Sequence, residues 1–199
     1  MAIASYSSGS SVNEFVEYVD GAIEALKYFV EFGQQDPDYF LYGDGGGYSG
    51  GFDMWYRLLA WCVLFELPRE KTDIVLDYLV LQMRNPHHAT DALANKMIKA
   101  LGYPGQDDTD HLLWPDAYEP LYRCFKVEAY RDRQLEAFMK TWYRKMGDTY
   151  WFNNHKSRHN TYFGYWCFEA AAVAKILNID DSNLREHPNY AYDASALIP

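Results

Sequence analysis

The sequence has few features of an exported, membrane-spanning or disulfide-stabilised protein. Its three cysteines, Cys62, Cys124 and Cys167, are an odd number and lie far apart within apolar helical runs. This pattern is typical of buried reduced thiols and favours a cytoplasmic protein over a disulfide framework. The N-terminus lacks the basic and apolar regions of a signal peptide. The longest apolar run, residues 54–67, is too short to cross a membrane and is interrupted by Arg57.

Basic residues are absent from two long segments, residues 28–56 and 100–122. Residues 1–119 contain 7 Lys and Arg against 19 Asp and Glu, a difference of −12, whereas residues 120–199 contain 11 against 9, or +2. Such an acidic half repels nucleic acid phosphates and attracts basic partners. The alternative is that these acids only keep the protein soluble. The candidate contact residues in the two segments are Asp36, Asp38, Asp44, Asp107, Asp108, Asp110, Asp116 and Glu119.

An apolar stripe near the C-terminus predicts a packed helix that begins at about Thr161. Its members recur at spacings of three and four residues, as on one buried face of a helix. They are Phe163, Trp166, Ala170, Val173 and Leu177. We expect this helix to end after Asn178, because Asp180, Asp181 and Ser182 can cap a short following helix.

The rest of the chain is also predicted to be helical. The first helix extends from about Val12 to Phe32, and its inward residues are predicted to be Phe15, Val19, Ala22, Leu26 and Phe29. A second helix, residues 53–67, is apolar on nearly all sides and is predicted to lie in the centre. We expect its Arg57 to pair with Asp53, one turn earlier. Four more helices are predicted at residues 71–84, 90–101, 120–129 and 131–146.

These patterns predict an all-α protein. They contain no sustained strand alternation, no internal repeat and no linker that would divide the chain. We therefore predict a single-domain helical bundle over residues 1–199, with about seven to eight helices joined by short loops and one glycine-rich loop.

The glycine-rich loop resembles a nucleotide-binding motif only in spacing. Gly45, Gly47 and Gly50 satisfy the G-x-G-x-x-G pattern. The loop has no preceding buried strand, no neighbouring basic residue and no βαβ unit, all of which that motif needs. A flexible loop that presents backbone donors and Asp44 to a partner is the better interpretation.

Metal and catalytic patterns are also incomplete. His155 and His159 are four residues apart, as zinc ligands on a helix can be. No acidic residue lies between them. The intervening Lys156 and Arg158 are positively charged and disfavour binding of a metal cation. No nucleophile with a neighbouring base is recognisable. The sequence therefore predicts no metal, no cofactor and no catalytic residue.

Aromatic residues are abundant, with 18 Tyr and 6 Trp. Residues 150–152 and 162–166 are rich in them and flank the cations Lys156 and Arg158. This combination can stack on a sugar or a nucleobase. Filling of the helical core is the more usual role of such side chains.

A pattern spread over some fifty C-terminal residues carries a family resemblance. Its parts are Trp142-Tyr143, His155-Lys156, residues 162–169, the alanine run to Lys175, Asp180-Asp181-Ser182 and His187-Pro188 with Tyr190. In these parts the sequence resembles the C-terminal domain of PoNi proteins, bacterial immunity proteins encoded beside PoNe-type DNase toxins of polymorphic toxin systems. The PoNi-like part covers about residues 53–190. Residues 6–10 resemble the point where the family's first long helices end, so we expect the N-terminal helical hairpin to be missing.

The resemblance implies a cytoplasmic immunity protein that binds a cognate antibacterial toxin, a DNase, and neutralises it by covering or occluding its active site. It implies no enzymatic activity, no direct nucleic acid binding and no membrane association. In this hypothesis the candidate acidic residues face the basic groove in which the toxin holds DNA. The alternative is an all-α enzyme acting on a carbohydrate or another small polar substrate, with the aromatic loop as its platform.

Overall fold

The computed structural model describes residues 2–35, 51–83, 91–104, 109–159 and 161–195. These residues form nine α-helices and three short 3-10 helices, with no strand among them, which confirms the predicted all-α class. The α-helices are α1 (Ala2–Ser7), α2 (Val12–Gln35), α3 (Gly51–Leu64), α4 (Arg69–Met83), α5 (Ala92–Ala100), α6 (Pro115–Arg123), α7 (Arg131–Lys145), α8 (Phe168–Leu177) and α9 (Tyr192–Ser195). The 3-10 helices are Glu128–Tyr130, Asn154–Lys156 and Ser182–Leu184.

Several predictions concern positions outside the described residues. The glycine-rich loop with Gly45, Gly47 and Gly50 lies there. So do five of the candidate acidic residues, namely Asp36, Asp38, Asp44, Asp107 and Asp108. The side chain of Asp53, the expected partner of Arg57, is likewise not described.

The core forms around α3 and α8, which pack against each other. Every α3 side chain from Trp55 to Leu64 is buried except Arg57, as the apolar character of this helix predicts. Residues 170–172 of α8 are alanines with no exposed surface, and such small side chains allow the two helix backbones to approach closely. The remaining helices complete the bundle: α2 packs on α4, α7 on α6, α1 on α2, and α9 on α8.

The inward face of α2 differs in part from the prediction. Phe15 and Val19 are fully buried as expected, and the Phe15 ring stacks on Phe168 at 5.6 Å. Ile23 and Val30 continue this buried stripe, whereas the predicted Ala22 and Phe29 are exposed and Leu26 is half-buried. Beyond the second turn, the buried positions 23 and 30 are thus offset by one residue from the predicted positions 22 and 29, and the exposed Phe29 ring lies 6.3 Å from Tyr78 of α4.

The helix predicted from residue 120 begins earlier, at Pro115. Proline suits the first helical position, where no N–H is needed. Pro120 instead lies inside α6, and it cannot donate to the carbonyl of Asp116 four residues before it. The ammonium group of Lys145 supplies a donor to that carbonyl. The predicted continuation to residue 129 is replaced by a turn and the 3-10 helix Glu128–Tyr130.

The last long helix begins at Phe168 and not at Thr161, so this prediction was wrong at its start. Gly164 has a φ of +100°, a conformation that a helix cannot contain. Asn189 holds the preceding segment instead, because its carbonyl accepts from Cys167 N at 2.8 Å and its amide donates to the Tyr165 carbonyl at 3.0 Å. The predicted end is confirmed, since Asn178 is the left-handed C-cap.

The short helix after Asn178 is the 3-10 helix Ser182–Leu184. Asp181 occupies its N-cap position, but its side chain makes no capping bond and accepts from the Tyr190 hydroxyl at 2.5 Å. The neighbouring Asp180 accepts from the Ser182 N–H at 3.1 Å. The turn is therefore organised by both aspartates, and Asp181 mainly ties it to the C-terminal segment.

The three cysteine side chains are buried free thiols, as predicted. Burial raises the pKa of Cys62 and of Cys124 to about 12. These thiols are consequently poor nucleophiles at neutral pH. Among the helices in the described ranges, none is long and apolar enough to cross a membrane.

Candidate functional site

The acidic segment before α6 is fixed to the core by Asp91. This carboxylate is buried and caps α5 by accepting from Ala94 N at 2.9 Å. It also accepts from Tyr56 Oη at 2.7 Å and from Leu113 N at 2.9 Å. Burial raises its pKa, although the hydrogen bonds act in the opposite direction. Sequence reasoning missed this role, because the predicted helix 90–101 contains Asp91, whereas in the structure Asp91 is the N-cap of α5.

Asp110 lies in this segment, and its charge is compensated. Its Oδ1 is 2.5 Å from Lys126 Nζ and accepts from Tyr122 Oη at 2.6 Å. These hydrogen bonds, that from Lys126 first, lower the pKa of Asp110 below its usual value. The carboxylate is 77% exposed, so the pair remains at the surface.

The two other described candidates lie on α6. Glu119 forms a 2.6 Å ion pair with Arg123, one turn later. Asp116 is exposed in the first turn of the helix, where a negative charge is favoured by the helix dipole. Its carboxylate forms no ion pair within the described ranges, so Asp116 carries the least compensated charge of the three. Counting charges by segment could not reveal this, because Lys126 and Arg123 come from the following basic half.

A second acidic surface is the outer face of α2. At its start Ser11 and Glu14 form a reciprocal cap, with Ser11 N donating to Glu14 Oε2 at 2.9 Å. Lys71 of α4 pairs with two of the acids, at 3.2 Å from Asp20 and 3.6 Å from Glu24. Exposed acidic residues along this helix are Glu14, Glu17, Glu24 and Glu31.

The aromatic segments form a connected cluster around Tyr165. Its ring lies 4.8 Å from Tyr143, 5.6 Å from Trp151 and 4.9 Å from Tyr162. Trp151 in turn stacks on the buried Trp142 at 5.7 Å. The inner part of the cluster therefore belongs to the core, as the more usual interpretation predicts, whereas Tyr162 remains 52% exposed.

The histidine pair is not on a helical face. His155 lies in a 3-10 turn, where its N–H and its Nδ1 both contact Tyr165 Oη, at 3.0 and 2.8 Å. His159 Nε2 accepts from Arg158 Nε at 3.2 Å. In the part of the chain that the structure describes, no three His, Cys, Asp or Glu side chains are grouped to hold a metal ion. The geometry of the two imidazoles thus differs from that of a zinc pair.

The region that holds Asp91, α6 and the aromatic cluster coincides with a family match. The family model described as PoNe immunity proteins (PoNi), C-terminal, matches residues 89–194. The chain belongs to the PoNi family. This confirms the resemblance inferred from the C-terminal pattern. Comparisons with curated proteins and with solved structures found no match.

Within the residues of the PoNi match, the buried side chains of Glu169 and Tyr118 contact each other. Glu169 is buried in α8 and accepts from Tyr118 Oη at 2.8 Å, and the rings of Tyr118 and Tyr56 lie 4.3 Å apart. Burial raises the pKa of both tyrosines well above the usual value. Asp91 accepts from Tyr56 and Glu169 accepts from Tyr118, so the tyrosine pair connects α3, α5, α6 and α8.

A surface cavity of about 660 Å³ lies elsewhere, where the ends of α3, α5 and α8 meet α4. Among the described residues that line it, the one carboxylate is that of Glu66, which pairs with Lys175 at 3.1 Å. Lys175 also donates to the Leu64 carbonyl at 2.9 Å. A glycosidase needs two carboxylates across its substrate. The described part of this cavity therefore does not support the carbohydrate-enzyme alternative.

Proposed function

We propose that this PoNi protein binds a cognate PoNe-type toxin, a DNase, and neutralises it by covering or occluding its active site. Membership of the immunity-protein family is the observation that carries this proposal. The protein acts in it as a binding partner, without catalysis, cofactor or direct contact to nucleic acid. The buried reduced thiols are compatible with action in the cytoplasm.

Electrostatic complementarity supplies the proposed mechanism. A DNase holds DNA through cations that contact phosphates, so an acidic protein surface can compete for the same groove. The outer face of α2 and the exposed Asp116 offer such a surface. Long-range attraction would accelerate encounter, and contact would then exclude the substrate.

The proposed contact set is that inferred from the sequence. It comprises Asp36, Asp38, Asp44, Asp107, Asp108, Asp110, Asp116 and Glu119. Asp116 contributes most in this proposal, because Lys126 and Arg123 offset the charges of Asp110 and Glu119.

A protection assay tests the function. Bacteria that express a cognate PoNe-type toxin should keep intact chromosomal DNA and remain viable when this chain is co-expressed. The matched control is an inactive toxin, which should leave the cells viable with or without the chain. Equal DNA degradation with and without well-expressed, folded chain would contradict the proposed function.

A further inference from the structure

A surface of opposite charge lies in the C-terminal half. Residues 149–168 contain no acidic residue, and they include His155, Lys156, Arg158 and His159. In a chain with a net charge of −10, this absence over twenty consecutive residues sets the segment apart. Its exposed side chains define what we call the aromatic–basic surface, comprising Tyr150, His155, Lys156, Arg158 and Tyr162.

Within the described ranges, no carboxylate neutralises the cations of this surface. Neither Lys156 nor Arg158 forms an ion pair with any carboxylate in the described ranges, and both are exposed. Other cations of the C-terminal half do pair, for example Arg123 with Glu119 and Lys126 with Asp110. The charge of the aromatic–basic surface is therefore available to a partner.

Both aromatic members are exposed, and Tyr162 rests on an ordered support. Tyr150 is 61% and Tyr162 is 52% exposed. Tyr162 packs on Tyr165 at 4.9 Å, and Tyr165 packs on Tyr143 at 4.8 Å. The two bonds from His155 to Tyr165 Oη fix the turn that carries Lys156. Tyrosine and arginine are enriched among the hot spots of protein interfaces, and an aromatic side chain held by packing, as Tyr162 is, loses little entropy on binding.

We propose that the aromatic–basic surface is a second docking site for the toxin and that it receives a segment bearing carboxylates. This inference rests on the proposed function and deepens it. The cations select an anionic partner, and the exposed tyrosines add apolar contact area. A protein segment fits better than a nucleic acid, because the net charge of −10 repels a phosphate backbone over a long range.

The proposal predicts a charge pattern on both partners. The acidic face of α2 and Asp116 would meet the basic groove of the toxin, and Lys156 and Arg158 would meet acidic side chains outside that groove. Such a two-sign interface fixes the orientation of the complex, since a rotated encounter would place like charges together.

The test measures binding of the purified full chain to an inactive cognate PoNe-type toxin. The variant Lys156→Glu with Arg158→Glu should lower the association rate about tenfold at low salt. The matched control is Arg133→Glu with Lys140→Glu, which changes the net charge equally at exposed positions of α7 and should have less than about a twofold effect. The variant Tyr150→Ala with Tyr162→Ala should raise the dissociation rate about tenfold.

Distinct results would overturn the proposal. Equal slowing by both charge variants would show that net charge, and not this surface, controls association. Unchanged binding by the Lys156/Arg158 and Tyr150/Tyr162 variants would exclude the surface from the contact, while leaving the proposed function intact. Oligothymidine binding by the wild type that is lost on reversing Lys156 and Arg158 would assign the surface to nucleic acid. Absence of any toxin binding by the wild type would instead refute the proposed function.

Discussion

The carboxylate of Asp91 accepts a 2.9 Å hydrogen bond from the backbone N–H of Leu113, 22 residues later in the chain. The same buried carboxylate caps α5 and accepts from Tyr56. The segment that carries Asp110 is thereby held against the core, and a return bond from Ala92 N to the His111 carbonyl at 2.8 Å strengthens the connection. A single buried acid thus positions part of the proposed contact surface.

Replacing Asp91 by Asn should therefore destabilise the protein. In asparagine an NH₂ group replaces one carboxylate oxygen, so a donor would face the groups that now donate to Asp91. We therefore expect a loss of about 1–3 kcal/mol in the free energy of unfolding. Urea denaturation measures this loss. Asp148→Asn, at an exposed position, serves as the control and should leave the midpoint unchanged. Equal stability of Asp91→Asn and the wild type would show that Asp91 does not anchor the segment.

Ala170 tests the packing of α8. Its side chain has no exposed surface, and it lies in the helix that packs on α3. Ala170→Trp should overpack this contact and lower the free energy of unfolding by about 1–3 kcal/mol or more. The same substitution at Ala137, an exposed position of α7, should have little effect on the melting temperature. An unchanged melting temperature for Ala170→Trp would refute the buried position of α8.

His187 makes stability depend on pH. Its half-buried ring accepts from Asn189 N through Nδ1 at 3.2 Å, and burial lowers its pKa below the ordinary value of 6.5. The unfolded chain then binds a proton more readily than the folded one. The stability associated with the neutral ring is complete above pH 6.5 and is lost as the pH falls from 6.5 through the folded pKa.

Unfolding free energies at about pH 7.5 and about pH 5.5 test this linkage. The wild type should lose more stability on acidification than His187→Gln, whose side chain does not titrate. His159→Gln, at an exposed position, should retain the wild-type pH dependence. The same acid-induced loss in the wild type and in His187→Gln would contradict the prediction.

Local sequence patterns predicted the fold well for features that depend on one helix alone. Residues 53–67 are apolar on nearly all sides, which correctly predicted that α3 lies in the core. The predicted end of α8 at Asn178 coincides with its left-handed C-cap. The start of α8 was wrong because Phe163 and Trp166 share the helical spacing without being helical. The strand-like pairing of Cys167 with Tyr190, made through the hydrogen bond from Cys167 N to the Asn189 carbonyl, is a long-range contact that periodicity cannot detect.

In the candidate site, too, local composition was predictable from the sequence, whereas contacts between distant residues were not. The sequence could identify the acidic composition of residues 100–122, but ion pairs are formed in space. Lys126 reaches Asp110 from sixteen residues away, and no pattern in the segment itself indicates it. Asp91 was missed for a related reason, since its partners Tyr56 and Leu113 are distant in the chain.

Charge reversal at two of the proposed acidic contact residues should slow toxin binding. We expect Asp107→Lys with Asp116→Lys to lower the association rate about tenfold at low salt, because attraction to the basic groove is lost. The effect should shrink above about 0.1 M salt, where the screening length falls to about 10 Å. Stopped-flow or interferometric binding to an inactive toxin gives these rates.

The control for this pair is Asp132→Lys with Glu186→Lys. It changes the net charge equally, at exposed positions of the C-terminal half. Its association rate should stay close to that of the wild type. Equal rates for the two double variants at every salt concentration would remove the acidic surface from the proposed contact.

Titration of DNase activity tests the central claim most directly. Purified cognate PoNe-type toxin is mixed with increasing amounts of this chain, and cleavage of plasmid DNA is followed. The account predicts a linear fall in activity that reaches background at an equimolar ratio, with recovery of a stable complex by size-exclusion chromatography. Undiminished DNA cleavage in a large excess of folded chain would contradict it.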